Sequence, residues 1–396
     1  MNQEPLGVAV IGAGMAGRAH ANAFRQAGTV FDRLPRPVRL RAIADATLEL
    51  AEKAASDYGF ERAYGSWEEV AADPEIHAVS VVVGNNLHRA VSEALLAAGK
   101  HVLCEKPLAG TIEDAEAMVA AADQAPGLVA SINYSYRRTP AFAEVQRRVR
   151  QGDLGRLSHF DGHYLCDYGS DAKGPWTWRD AGPMGSGCLG DLGSHLIDLS
   201  EQLFGPIASI DGARLSTRIS ERHLPIGQTI GHEYGELSDE VKPVSNDDDA
   251  VFVATFASGV TGSFNVSRVA YGHDNSLGFT VHGLDGVIGF EFDQPAQYTV
   301  DLRGDRSGKG RKTIIAGPGF PYYGDGLAWN AGGLSYGYSD IFVFQIRGFL
   351  DEVLQAAEPL PRCGTFADGL HTMRVIEAVV EADRTGRAIT VNNADS

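Results

Sequence analysis

Apolar residues in the first third of the chain fall into short, nearly unbroken runs at 6–11, 38–44, 78–83, 101–104 and 128–132. Each is too short for a helix and apolar on both faces, the pattern of strands buried inside a parallel sheet. Between them, over 16–27, 48–58, 88–98 and 111–123, apolar positions recur with the period of an amphipathic helix. Thr111 with Asp114 has the form of a capping box, and Gly99 stands where a helix-ending glycine is wanted. Strand and helix alternating in this way predict a doubly wound α/β domain.

The pattern changes near Asn133. Thr139-Pro140 reads as an N-cap and first-turn proline, opening a helix to about Arg150. Strand-like segments follow at 157–163, 250–256, 262–269, 278–282 and 287–292. Glycine-bearing turns separate the later ones, which predicts a mostly antiparallel meander. Residues 220–249 are polar and weakly periodic and read as a long loop. The stretch 303–333 is likewise irregular, and helices return at 340–356 and 366–385. The expected architecture is a doubly wound parallel sheet over residues 1–132, then an α/β domain with a large, mostly antiparallel open sheet over 133–396.

Composition narrows the class. At 396 residues, 44% hydrophobic and 21% charged, the chain is of ordinary globular make-up and long enough for two domains. A formal net charge of -17 argues against nucleic-acid and anionic-membrane surfaces, where basic patches supply affinity. Cys104, Cys166, Cys188 and Cys363 are scattered, with no CxxC and no zinc-ligand spacing. Reduced, mostly buried thiols are expected, and no metal site. Met1-Asn2-Gln3-Glu4-Pro5 lacks the basic-then-apolar order of a secretion signal, and no apolar run is long enough to span a bilayer. A soluble cytoplasmic protein is expected.

Chemistry enters with Gly12-Ala13-Gly14-Met15-Ala16-Gly17, a G-x-G-x-x-G match directly after the first strand. In that context Gly12 permits the tight turn, Gly14 admits a pyrophosphate, and Gly17 allows close packing of helix on sheet. Free N–H groups at the helix start, around Met15 and Ala16, favour the phosphates. The domain is therefore read as a dinucleotide-binding Rossmann fold. Asp45 ends the second strand, where a carboxylate can accept the adenosine ribose hydroxyls and repel a 2′-phosphate; its other reading is a helix N-cap. Ala46 and Thr47 offer no cation, although Arg41 lies one strand-face away. NAD is favoured over NADP.

Two further segments carry ionisable groups. Glu105-Lys106-Pro107 follows the run 101–104, putting a lysine at the C-terminal edge of a parallel sheet, where cofactor and substrate meet. Segment 185–198 holds Asp191, His195 and Asp198. If it is helical from about Gly190, Asp191 and His195 share a face one turn apart. Such a pair suits proton removal from an alcohol, with a lysine ammonium stabilising the developing alkoxide. The same spacing is also met where a His and an Asp merely brace a buried helix. His195 with Asp198 lacks third and fourth zinc ligands.

Together, Gly12 to Gly17, Asp45, Asn86-Leu87-His88, Glu105-Lys106-Pro107 and the 187–198 segment resemble the Gfo/Idh/MocA oxidoreductase family in order and spacing. The likeness extends to Tyr136-Arg137-Arg138-Thr139-Pro140-Ala141, Asn246-Asp247-Asp248, Ser267-Arg268 and Phe366-Ala367-Asp368-Gly369, and so covers essentially the whole chain. It implies catalytic Lys106, Asp191 and His195, with His195 accepting the proton, Asp191 helping it and Lys106 polarising the hydroxyl. It implies NAD held by Gly12, Gly14, Met15, Ala16, Gly17, Asp45, Asn85, Asn86, His88, Glu105 and Lys106. A cis Lys106–Pro107 peptide and a homodimer or homotetramer packed through the second-domain sheet are also implied. Gly84-Asn85-Asn86 departs from the family's usual Thr-Pro-Asn, so the loop on the nicotinamide side is altered.

A polar pocket between the domains is expected, drawing on Tyr136, Arg137, Tyr164, Asp167, Trp176, Trp178, Arg179 and His195. Sugar rings offer C–H faces to aromatics and hydroxyls to Arg and Asp. Tyr164-Leu165-Cys166-Asp167-Tyr168 with Trp178-Arg179 resembles family members acting on sugars, anhydrosugars or inositols. Cys166 and Ser135, however, stand where such relatives often carry larger polar groups. No Arg/Lys cluster marks a sugar-phosphate site. The implied reaction is NAD-dependent oxidation of a secondary ring hydroxyl of a sugar, anhydrosugar or cyclitol to a ketone. Two alternatives stay open: an NAD-retaining glycosidase or lyase working by transient oxidation, and a non-catalytic nucleotide sensor.

Overall fold

The computed structural model describes residues 4–31, 34–180, 182, 187–227, 236–305, 310–323, 330–333, 336–356 and 361–391. They form two compact units: residues up to 138 with 321–331 and 336–370, and residues 139–320 with 332–335 and 371 onward.

In the first unit, β1 (Leu6–Ile11), α1 (Met15–Ala27), β2 (Val38–Ala44), α2 (Leu48–Tyr58), β3 (Arg62–Tyr64) and α3 (Trp67–Ala72) alternate along the chain. The alternation continues through β4 (Ala78–Val81), α4 (Asn85–Ala97), β5 (His101–Cys104), α5 (Ile112–Asp123) and β6 (Ala130–Ile132). These strands pair in parallel in the order β6-β5-β4-β1-β2-β3. A two-residue strand, Gly364–Thr365, adds antiparallel to the β6 edge. Every residue of β1 and β4 is buried, as strands covered on both faces must be. Chain order reverses between β1 and β4, and a crevice opens at their carboxyl ends. Thr111 accepts the Asp114 N–H and caps α5, and Gly99 closes α4 with a φ of 76°. The helix Tyr338–Val353 packs against α1 in this unit: Phe344 stacks on Phe31 at 5.3 Å.

The second unit opens with α6 (Pro140–Gln151), β7 (Leu157–Leu165), α7 (Ser194–Phe204), β8 (Ile207–Ser216), β9 (Glu221–Pro225) and β10 (Leu237–Pro243). It continues through β11 (Asp249–Phe256), β12 (Thr261–Ser267), β13 (Ser276–Gly283), β14 (Gly286–Glu291), β15 (Gln297–Leu302) and β16 (Lys312–Ile315). The large sheet runs β16-β15-β14-β13-β7-β12-β11-β8, with Ile389–Thr390 beyond β8. All its pairings are antiparallel except β7 with β12. β11 alternates buried and exposed residues, so one face packs inward while Val251 and Val253 point outward. The inner face is lined with phenylalanine. Phe252 and Phe264 are cross-strand partners stacked at 4.4 Å, and Phe160, Phe256 and Phe279 join them, with Phe204 of α7 above. The open antiparallel sheet matches the expectation from the glycine-punctuated meander.

Two segments expected to be irregular contain strands. Within 220–249, β9 and β10 pair antiparallel as a separate ribbon, and β16 lies within 303–333. The ribbon is polar along both strands and β16 is a four-residue edge strand, so neither leaves an apolar period to read. Residues 228–235 of that excursion lie outside the described residues. All four cysteines are free and buried. Among the described residues, no helix is long and apolar enough to cross a membrane.

Candidate active site

The glycine loop lies at the crevice between β1 and β4. Gly12 has a φ of 107°, and a Cβ there would lie 2.0 Å from the Val82 carbonyl oxygen. A Cβ on Gly17 would lie 1.8 Å from the Gly12 carbonyl oxygen, so α1 reaches β1 only through glycine. At Gly14 a Cβ would meet nothing within 4 Å, which leaves clear space at the N-cap of α1. Neither α1 nor α4 has a side-chain cap or an acid in its first turn. Both helix starts therefore present a positive dipole end at the same crevice. Met15 and Asn86 are exposed there, with Ala16 and Asn85 half-buried. Clear space under two uncapped helix starts fits a dinucleotide pyrophosphate.

Asp45 accepts hydrogen bonds from the Ala13 N–H (2.8 Å) and the Thr47 N–H (2.9 Å), tying the end of β2 to the glycine loop. The N-cap of α2 is Thr47, not Asp45. Arg41 is not available to a 2′-phosphate. Its guanidinium is 4% exposed and engaged by Asp73 (3.1 Å), Glu61 (3.0 Å) and Glu75.

His88 departs from its expected role as a nucleotide contact. Its ring is buried, with Nε2 3.1 Å from the Val83 carbonyl and Nδ1 3.1 and 3.2 Å from the Pro107 and Leu108 carbonyls. Both nitrogens face backbone carbonyls, of the loop after β4 on one side and of the loop after β5 on the other, with the one N–H of the neutral ring donating to one of them. Burial pushes its pKa down, against those bonds.

Glu105 and Lys106 follow β5, and the Lys106–Pro107 peptide is cis. Glu105 Oε1 accepts from His20 Nε2 (2.9 Å) and Asn133 Nδ2 (2.5 Å), and Oε2 accepts the Lys106 N–H (3.0 Å). Burial alone would raise the Glu105 carboxyl, but the bond and charge of His20, the charge of Lys106 and the Asn133 amide outweigh it and bring it to about 2. In the same unit, the buried Tyr136 ring meets Tyr338 edge-on at 5.8 Å. The Arg137 guanidinium lies over Tyr134 and 3.8 Å from Asp368.

In the second unit the segment expected as a helix from Gly190 opens instead with a turn of π-helix, Leu189–Gly193, before α7. Glycines at 187, 190 and 193 permit the wider turn, a feature recurrent at functional sites. Asp247 holds its start, accepting from the Leu189 N–H (2.7 Å) and the Cys188 thiol (3.0 Å). Asp191 accepts a hydrogen bond from the Tyr168 hydroxyl at 2.9 Å. His195 is 6% exposed, with the Tyr164 ring 6.3 Å away, and the Tyr164 hydroxyl donates to Asn275 (2.8 Å). Asp167 accepts from the Gly272 N–H (3.2 Å). The turn Trp178–Asp180 is pinned through the Arg179 carbonyl, which accepts from Asn246 (2.7 Å) and Arg268 (2.9 Å). The Trp178 side chain lies outside the described residues. Trp176 packs on the ribbon instead, under Lys242 and donating to the Pro243 carbonyl.

Asn275 was not singled out from the sequence, and Tyr168 and Asp247 stood there only as members of longer strings, without a role. Asp247 stood in the Asn246-Asp247-Asp248 string, and its partner is remote in the chain. Among the described residues no cluster of three or more His, Cys, Asp or Glu could hold a metal ion.

A glycine cradle at the switch point of a parallel sheet, with an acid–lysine pair at the neighbouring strand end, defines an NAD-binding oxidoreductase of Rossmann type. The chain belongs to the Gfo/Idh/MocA family: residues 6–134 match its NAD-binding Rossmann domain and 142–289 its C-terminal domain. It is 35% identical over 382 residues to levoglucosan dehydrogenase of Pseudarthrobacter phenanthrenivorans, spanning 95% of this chain and 96% of that one. A structure of levoglucosan dehydrogenase with NADH and L-sorbose superposes with a TM-score of 0.90 at 33% identity, covering 99% of this chain and all of the other. A complex with NADH and levoglucosan gives 0.89 at 32%, covering 98% and 100%.

Proposed function

We propose that this protein is an NAD-dependent dehydrogenase that oxidises a secondary ring hydroxyl of a sugar, anhydrosugar or cyclitol to a ketone. The end-to-end likeness to levoglucosan dehydrogenase carries the reading and puts anhydrosugars and neutral sugars first among substrates. Bound NAD supplies the hydride acceptor. The protein's own groups handle the proton: His195 takes it from the hydroxyl, Asp191 orients and charges the imidazole, and the Lys106 ammonium stabilises oxygen as negative charge develops. Tyr168, donating to Asp191, keeps that carboxylate aimed. Tyr136, Arg137, Tyr164, Asp167, Trp178 and Arg179 are assigned to the sugar. Asp45 is assigned to the adenosine ribose, which with the engagement of Arg41 favours NAD over NADP. We further propose a cytoplasmic homodimer or homotetramer joined through the outer face of the large sheet, where Val251 and Val253 lie exposed on β11.

A panel of anhydrosugars, sugars and cyclitols offered with NAD and with NADP separately tests this, read by absorbance of the reduced cofactor. Ketone and NADH should form in equal amounts, with NAD preferred. Cleavage of a glycoside without net NADH would instead establish a glycosidase or lyase, and no turnover with any member would refute the dehydrogenase. Lys106→Met should lower kcat at least a hundredfold while NAD still binds, and full activity in that variant would remove Lys106 from the mechanism.

A further inference from the structure

Three side chains from separate elements meet beneath Lys106. His20 projects from α1, Glu105 follows β5 and Asn133 follows β6; His20 and Asn133 are 0% and 1% exposed. Both bond one oxygen of the Glu105 carboxylate, and they approach each other at 3.2 Å. His20 Nε2 faces a carboxylate, so it is the nitrogen that carries the hydrogen. Nδ1 is buried without a hydrogen-bond partner. With His20 and Asn133 donating to one oxygen and the Lys106 N–H to the other, the Glu105 carboxyl is held well below the ordinary range and stays ionised.

A neutral acceptor would satisfy His20 and Asn133 at lower cost than a buried carboxylate. The position suggests what the charge is for. In a doubly wound sheet the two βαβαβ halves each take one mononucleotide, and the half built on β4, β5 and β6 takes the nicotinamide side. That ring is positively charged in NAD+ and neutral in NADH. A fixed carboxylate at the end of β5 attracts the first and is indifferent to the second. We propose that the His20–Glu105–Asn133 cluster biases the protein toward the oxidised cofactor, with Glu105 supplying the charge and His20 and Asn133 positioning it.

This inference rests on NAD binding alone and not on the choice of alcohol. The test titrates the cofactor-free protein with NAD+ and, separately, with NADH, without any sugar, by calorimetry or fluorescence. Glu105→Gln should weaken NAD+ about tenfold and leave NADH within about twofold, since the charge is removed at constant shape. Lys106 is present in both proteins and cancels from the comparison. His20→Leu removes a donor that offsets the burial of Glu105 and should move the affinity ratio the same way by a smaller factor. His20→Gln keeps a donor and should retain the wild-type ratio. Should Glu105→Gln not fold, His20→Leu carries the test. Equal weakening of both nucleotides, as a loosened crevice would give, or an unchanged ratio overturns the proposal. A protein inactive on every sugar would leave this measurement intact.

Discussion

Tyr168 shows how much of a site can rest on one buried donor. Burial, followed by the charge of Asp191, pushes its phenol well above the ordinary tyrosine value, so it stays protonated and donating. Tyr168→Phe removes a hydrogen bond to a charged acceptor, worth about 1.5–3 kcal/mol. A fall in kcat of roughly tenfold or more is expected, with NAD affinity unchanged and the acidic limb of the pH–rate profile moved upward. An unmoved profile would reduce the bond to a brace. At Asp45, replacement by alanine should weaken NAD more than NADP, measured as the two dissociation constants. Equal weakening would mean that the carboxylate matters only through the Ala13 and Thr47 amides. Lys106, Asp191 and His195 could be proposed from the sequence because each sits in a local string. The role of Tyr168 could not: it sits in a turn after β7, its partner lies 23 residues on, and no spacing rule links such a tyrosine to a helical aspartate.

Elements were legible where one physical period ruled them. The buried parallel strands and their amphipathic helices announced themselves, as did the meander from β11 to β14. The strand β8 escaped because polar residues interrupt both of its faces, leaving a mixed burial pattern. The π-turn at 189–193 escaped for another reason. Its glycines could equally have ended a helix, and only the remote Asp247 decides that the helix starts there. The phenylalanine layer of the large sheet is where one side chain should matter most. Phe264 is 1% exposed and stacked on Phe252, so Phe264→Ala should cost about 3–5 kcal/mol through the cavity it leaves, read from the urea midpoint. A loss below about 1 kcal/mol would mean that Phe160 and Phe256 close the space.

For the whole molecule, protons connect these local features to stability. Burial, the leading cause in each case, lowers the pKa of His77, His88 and His101 below the ordinary 6.5. Each regains its usual basicity when the chain unfolds, so below that value the unfolded state binds more protons than the folded one. Stability should be fully present above about pH 6.5 and decline as the pH falls through it. Urea midpoints at about pH 8 and about pH 5.5 check this, and a higher midpoint at the lower pH would contradict it. Glu105 adds a second decline further into acid, between the ordinary glutamate value of 4.5 and about 2, as its carboxylate is finally protonated.

The three carboxylates gripping Arg41 also set the terms for re-engineering coenzyme choice. Mutating Asp45 by itself would lift a repulsion yet recruit nothing in its place. Trimming Glu61 or Asp73 to liberate the guanidinium would strand a charge in the interior. A workable switch to the phosphorylated coenzyme must graft an arginine onto the rim at Ala46, which is already solvent-facing.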